Sequence, residues 1–85
     1  MESKAKGRFL MAGHTYKVIE LVGTSDIGIT EAINEAVTRA NQSIKGLDWF
    51  EVGQIRGQIE DGKPAWYQVA VRIGFRVMSA DELKE

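Results

Sequence analysis

The sequence predicts an α+β fold of order β-α-β-β, a three-stranded antiparallel sheet with one helix laid on its apolar face. Three observations predict it. Apolar residues recur at three- and four-residue steps from Ile29 to Ile44, the stripe of an amphipathic helix. Tyr67, Val69, Val71, Ile73, Phe75 and Val77 alternate with Trp66, Gln68, Ala70, Arg72, Gly74 and Arg76, which is the two-residue period of a strand with one buried face. Asp61-Gly62 separates that run from an earlier strand-like run, and this dipeptide favours a tight hairpin turn.

Taken in order, residues 1–13 carry Lys4, Lys6 and Arg8 among small residues with no sustained period, and read as a flexible tail. Met11-Ala12-Gly13 resembles a second start, which would make the residues before it an addition to the domain. Thr15 to Val22 is rich in β-branched and aromatic residues and reads as a strand, broken by Gly23-Thr24-Ser25-Asp26. The helical stripe is Ile29, Ile33, Ala36, Val37, Ala40 and Ile44, with Glu31, Asn34, Glu35, Arg39 and Gln42 on the opposite face. Gly28 or Asp26 is the expected N-cap, and Lys45-Gly46 the stop. Leu47-Asp48-Trp49-Phe50-Glu51-Val52 marks the passage from helix to strand, and the strand continues to Glu60. Gly53 and Gly57 within it signal bulges or close backbone approach. The last strand is expected over Ala65 to Val77, leaving 79–85 as a short polar tail and 14–78 as the one domain.

Size turns this outline into an expectation about assembly. A chain of 85 residues has a marginal core, and small scaffolds usually add disulfides, a metal or partner subunits. There is no cysteine, and the single histidine, His14, offers no transition-metal cage, so self-association is the expected support. A last strand of about thirteen residues would run ~43 Å, whereas a helix of about seventeen residues covers only ~25 Å. The helix cannot roof the sheet. The net charge of −1 argues against a general nucleic-acid partner. No run has the ~20 apolar residues of a membrane-spanning helix, and no secretory signal is evident. A cytoplasmic protein is the expectation.

Chemistry points to binding rather than turnover. No serine, lysine or histidine stands in an activating context, and the carboxylates are scattered over solvated faces. Gly23-Thr24-Ser25 lacks the spacing of a nucleotide-binding loop. By contrast, Gln68, Arg72 and Arg76 share the polar face of the last strand, and the strand before it adds Gln54, Arg56 and Gln58. Glutamine offers a donor and an acceptor to a planar heterocycle, and arginine holds phosphate or carboxylate through paired N–H groups. With Trp49 at the edge, a flat aromatic guest with a polar rim suits this face. Trp66 reads more simply as an interface filler.

The stretches His14-Thr15-Tyr16-Lys17-Val18-Ile19-Glu20-Leu21-Val22-Gly23-Thr24-Ser25, Leu47-Asp48-Trp49-Phe50-Glu51-Val52, Ile55-Arg56-Gly57, Tyr67-Gln68-Val69 and Gly74-Phe75-Arg76 resemble the dodecins, small flavin-binding proteins. The resemblance implies strands wrapped around the helix and a hollow homo-dodecamer. It implies flavins held as stacked pairs between tryptophans at subunit contacts, with FMN or riboflavin as the ligand, and it admits coenzyme A as a second one. By resemblance Trp49 is the stacking indole and Gln68 the partner of the ring's polar edge. Arg56 and Arg76 lie near the flavin, Arg76 at an FMN phosphate, and Asp48 contributes beside the ring.

The function so implied is storage of flavin with suppression of its photochemistry, by a protein that is no enzyme; no residue is assigned to a metal. Competing readings are a flavin-dependent reductase, a small oligomeric hydrolase using interface carboxylates, or a structural oligomer that binds coenzyme A or another ligand without flavin.

Overall fold

The structure, a computed structural model, describes residues 15–77. The tails expected at 1–13 and 79–85 lie outside the described residues, as does His14. Four elements follow in the expected order: β1 (Tyr16–Ser25), α1 (Ile29–Asn41), β2 (Leu47–Glu60) and β3 (Lys63–Arg76). The sheet order is β1-β3-β2 with both pairings antiparallel. The strand with the sharpest alternation therefore lies in the middle, where both its neighbours can satisfy its backbone. Val69, Val71 and Ile73 are the large buried side chains, at 0–1% exposure.

α1 packs on this apolar row through a narrower stripe than the sequence suggests. Its buried residues are Ala32, Ala36 and Ala40, with Ile33 and Val37 packed beside them, while Ile29 remains 40% exposed. Small side chains let the helix axis lie close to the sheet. Gly23 is the counterpart in β1: a Cβ there would stand 1.8 Å from the carbonyl oxygen of Ala32. Gly23-Thr24-Ser25 thus does not break β1 as expected; the glycine continues the strand and admits the helix backbone. The turn comes later, where the Ile27 N–H donates to Ser25 Oγ at 2.9 Å. Of the two expected caps, Gly28 occupies the N-cap position, and no side chain caps the helix.

At its other end α1 stops at Asn41, three residues before the last member of the expected stripe, Ile44. The Ala40 carbonyl accepts from both Ser43 and Ile44, so the chain closes a tight turn there instead of adding another helical one. Gly46 takes a left-handed conformation at φ 81° and directs the chain into β2, so the predicted stop works in the connection and not in the last helical turn.

The 13-residue helix spans ~20 Å, and the 14-residue strands β2 and β3 span ~46 Å each. The disparity is larger than the sequence suggests. α1 covers β1 and β3, and every residue of β2 beyond Leu47 is exposed. The helix-facing side of that strand carries Phe50, Val52, Ile55 and Ile59, at 53%, 36%, 49% and 72% exposure. Three register shifts interrupt the pairing of β2 with β3, one of them at Gly53 between Val52 and Ile55. Gly57 is a close approach: a Cβ would lie 2.7 Å from the Trp66 carbonyl oxygen. Asp61 and Gly62, both at positive φ (54° and 74°), form the turn that the sequence signals.

Gly23→Ala should cost at least about 2 kcal/mol by forcing helix and sheet apart. Gly53→Ala, whose new methyl would meet Ala70 at an ordinary 3.6 Å, should stay within about 0.5 kcal/mol of the parent. Denaturant midpoints at matched protein concentration check the pair, and equal losses would contradict the close-approach role of Gly23.

Candidate functional site

The side of the sheet away from α1 carries most of the polar and aromatic residues of the strands, with Val18 and Val22 exposed among them. Cross-strand pairing sets its rows. Tyr16 stands opposite Arg76, and Val18 and Trp49 flank Gly74. Glu20 and Glu51 flank Arg72, and Thr24 and Arg56 flank Gln68. Gln58 pairs with Trp66 at the hairpin end. Each residue faces this side because the two-residue pleat of β3 turns its alternate members away from the buried row.

The Trp49 end depends on an absent side chain. Trp49 lies across Gly74, with indole atoms 2.1–2.7 Å from where a Cβ would be. The gap at Gly74 also lets residues of the two outer strands meet over the central one. Tyr16 on β1 brings its ring to 6.4 Å from that of Trp49, tilted by 44°, and its hydroxyl donates to Asp48 Oδ2 on β2 at 2.6 Å. A hydrogen bond to a carboxylate is among the stronger kinds, and this one ties β1 to β2 without a backbone pairing between them. Trp49 itself remains 42% exposed. Arg76 lies one pleat beyond Gly74, half-buried, opposite Tyr16.

At the other end, Arg56 Nε donates to Gln68 Oε1 at 3.2 Å. Oε1 is thus engaged, and the amide NH2 is the part of Gln68 that can donate to a ligand. Two shallow hollows flank this pair, one of about 290 Å³ reaching Thr24 and Trp66 and one of about 230 Å³ reaching Glu20 and Gln54. Both fall below the usual ~300–1,000 Å³ of a ligand pocket. Between the two ends Arg72 sits among carboxylates, with Nε 4.0 Å from Glu51 Oε1. The carboxylates beside it suit it poorly to an anionic ligand.

Of the residues singled out from the sequence, Asp48, Trp49 and Arg76 collect at one end and Arg56 and Gln68 at the other. Gln68 lies six residues along β3 from Gly74, so about 20 Å separates the two groups. One protomer does not close them around one ligand. Sequence reasoning misses the individual parts played by Tyr16 and Gly74. Gly74 carries a signal, a glycine inside an otherwise regular strand. Tyr16 carries none, because its partners are 32 and 33 positions away in the chain. Among the described residues, no group of three or more His, Cys, Asp or Glu side chains converges as metal ligands would.

With Trp66→Phe as the background, Trp49 is the only indole, and Gly74→Ala should displace it and shift its emission to the red. Unchanged emission would contradict the packing of the indole on Gly74.

The dodecin family model matches residues 15–78. The dodecin of Thermus thermophilus is 48% identical over 65 residues, covering 76% of this chain and 94% of that one. The solved structure of dodecin from Streptomyces coelicolor is 54% identical with a TM-score of 0.77, and the match covers 82% of this chain and 100% of that chain. A calcium-chelating antigen, calcium dodecin from Mycobacterium tuberculosis, solved with a calcium-binding site, is 26% identical with a TM-score of 0.67 over 78% of this chain and 94% of its own. The β-α-β-β order and antiparallel sheet agree with these structures, and the chain belongs to the dodecin family.

Proposed function

We propose that this chain stores flavin in a homo-dodecamer, holding FMN, or riboflavin in its place, against Trp49 at contacts between copies and suppressing its photochemistry. One observation carries the reading. Trp49 and Gln68 share a face yet stand about 20 Å apart along β3, so a planar ring stacked on the indole meets a glutamine amide only if another copy supplies it. The uncovered apolar row of β2 gives the copies a reason to associate, since its burial removes Phe50, Val52, Ile55 and Ile59 from water. Family membership also points to a homo-oligomer.

The residues suit the ligand. The indole is seated on Gly74 and open enough to stack. Gln68, with Oε1 held by Arg56, presents N–H donors to the acceptor atoms of a polar ring edge. Arg76 lies one pleat from Gly74, and we assign it to the phosphate of FMN. Asp48 is engaged by Tyr16 and acts beside the ring by bracing that end of the site.

Bound flavin would supply an electron acceptor when it absorbs light. Trp49, the indole open for stacking, would give an electron to the excited ring and take it back, so that the energy would leave as heat. Stacked pairs would close off the space a second reactant needs, which favours storage over turnover. We place the protein in the cytoplasm; among the described residues no helix is long and apolar enough to cross a membrane.

Trp49→Ala should weaken flavin binding by about 1–3 kcal/mol, the range for loss of an aromatic stacking partner, and should restore emission from whatever flavin still binds. Arg76→Ala should weaken FMN more than riboflavin. Fluorescence titration with both ligands tests the reading. Equal losses for the two ligands would remove Arg76 from the phosphate, and parent protein that binds coenzyme A but no flavin would replace the proposal.

A further inference from the structure

We propose that Tyr16 and Asp48 form a proton-coupled electron relay that repairs Trp49 after it has lost an electron. The inference rests on the electron-donor role given to Trp49 above, and extends it to residues that role does not require. Its basis is geometric. The Tyr16 ring is the aromatic neighbour of the indole, at 6.4 Å between centroids, and its hydroxyl already donates to a carboxylate oxygen at 2.6 Å. A phenol loses an electron far more readily when a base receives its proton in the same event. Asp48 is that base, and it sits immediately before Trp49 in β2.

A one-electron oxidant, which in the storage reading is the light-excited flavin, leaves Trp49 as an indole radical cation. Tyr16 passes one electron to the indole, its O–H bond breaks, and the proton moves along the existing hydrogen bond to Asp48 Oδ2. Trp49 is restored, Tyr16 becomes a neutral phenoxyl radical, and Asp48 becomes a neutral acid. Return of the electron from the reduced oxidant to Tyr16 brings the proton back from Asp48, and no atom or charge is lost. The value of such a relay lies in the failures of the direct return. An indole radical that outlives the excited pair reacts with oxygen and is destroyed.

Simple bracing would also explain a Tyr16 to Asp48 contact, so the test reads electron movement and needs no flavin. Flavin-free protein carrying Trp66→Phe is oxidised by a laser-excited ruthenium polypyridyl complex with a sacrificial electron acceptor, and the indole radical of Trp49 is followed by transient absorption. The relay predicts that this radical decays as a phenoxyl radical rises, and that heavy water slows the exchange. Tyr16→Phe and Asp48→Asn should each lengthen the indole radical's life several-fold and lower the phenoxyl yield. Asp48→Asn keeps the tyrosine, so it separates the proton acceptor from the ring and stands in if Tyr16→Phe misfolds. An indole radical of equal lifetime in parent and both variants, or a parent decay indifferent to heavy water, overturns the relay. Either result leaves flavin binding and its quenching by Trp49 to be judged by titration alone.

Discussion

A helix of 13 residues cannot roof strands of 14, and the rest of this molecule follows from that mismatch. The helix spends its short apolar stripe on β1 and β3, where Ala32, Ala36 and Ala40 settle onto Val69, Val71 and Ile73. Contact is close because the stripe is built from alanine and because Gly23 leaves room for the Ala32 carbonyl. Among the described residues nothing remains to cover β2. A strand with good internal pairing but a bare apolar row is stable in the sheet and costly in water, and the family's oligomeric habit relieves that cost.

The same geometry divides the candidate site. Gly74 gathers Trp49, Tyr16 and Asp48 at one end of the outer face, and the Arg56 to Gln68 hydrogen bond organises the other. The strand between them is too long and too extended to fold the ends together. In our reading each protomer contributes half of two sites, so binding and assembly are linked: a ligand held only between copies stabilises the assembly, and assembly completes the pocket. The indole end and the glutamine end also differ in kind. The first is an aromatic floor braced by a carboxylate hydrogen bond, suited to stacking; the second is a polar pair that fixes which amide atoms a ligand meets.

Much of this is legible in one dimension. The alternation of β3, the Asp61-Gly62 hairpin and the element order follow from local pattern, and each has a local physical cause. The departures also have causes. Apolar periodicity runs on to Ile44 because it does not register how the weaker helix formers Asn41 and Ser43 loosen a helix end. Ala32 escapes notice because alanine adds little to a hydropathy pattern, although small size is what its position needs. Gly23 reads as a flexible breaker, whereas its use is the absence of a side chain. In the site, Trp49, Gln68, Arg56, Arg76 and Asp48 come together by resemblance, yet the roughly 20 Å between the groups along β3 becomes visible only once the pairing sets Trp49 against Gly74 and Arg56 against Gln68. Tyr16 needs the three-stranded pairing itself.

Whether the ligand site exists outside the assembly is the decisive question. Native mass spectrometry of the purified protein with added FMN reads both quantities at once. A site completed only between copies predicts flavin solely on species many times the 9.5 kDa protomer, in a ratio of one flavin per chain at saturation, and none on any dissociated protomer. A 9.5 kDa protomer that carries FMN as tightly as the assembly would contradict it.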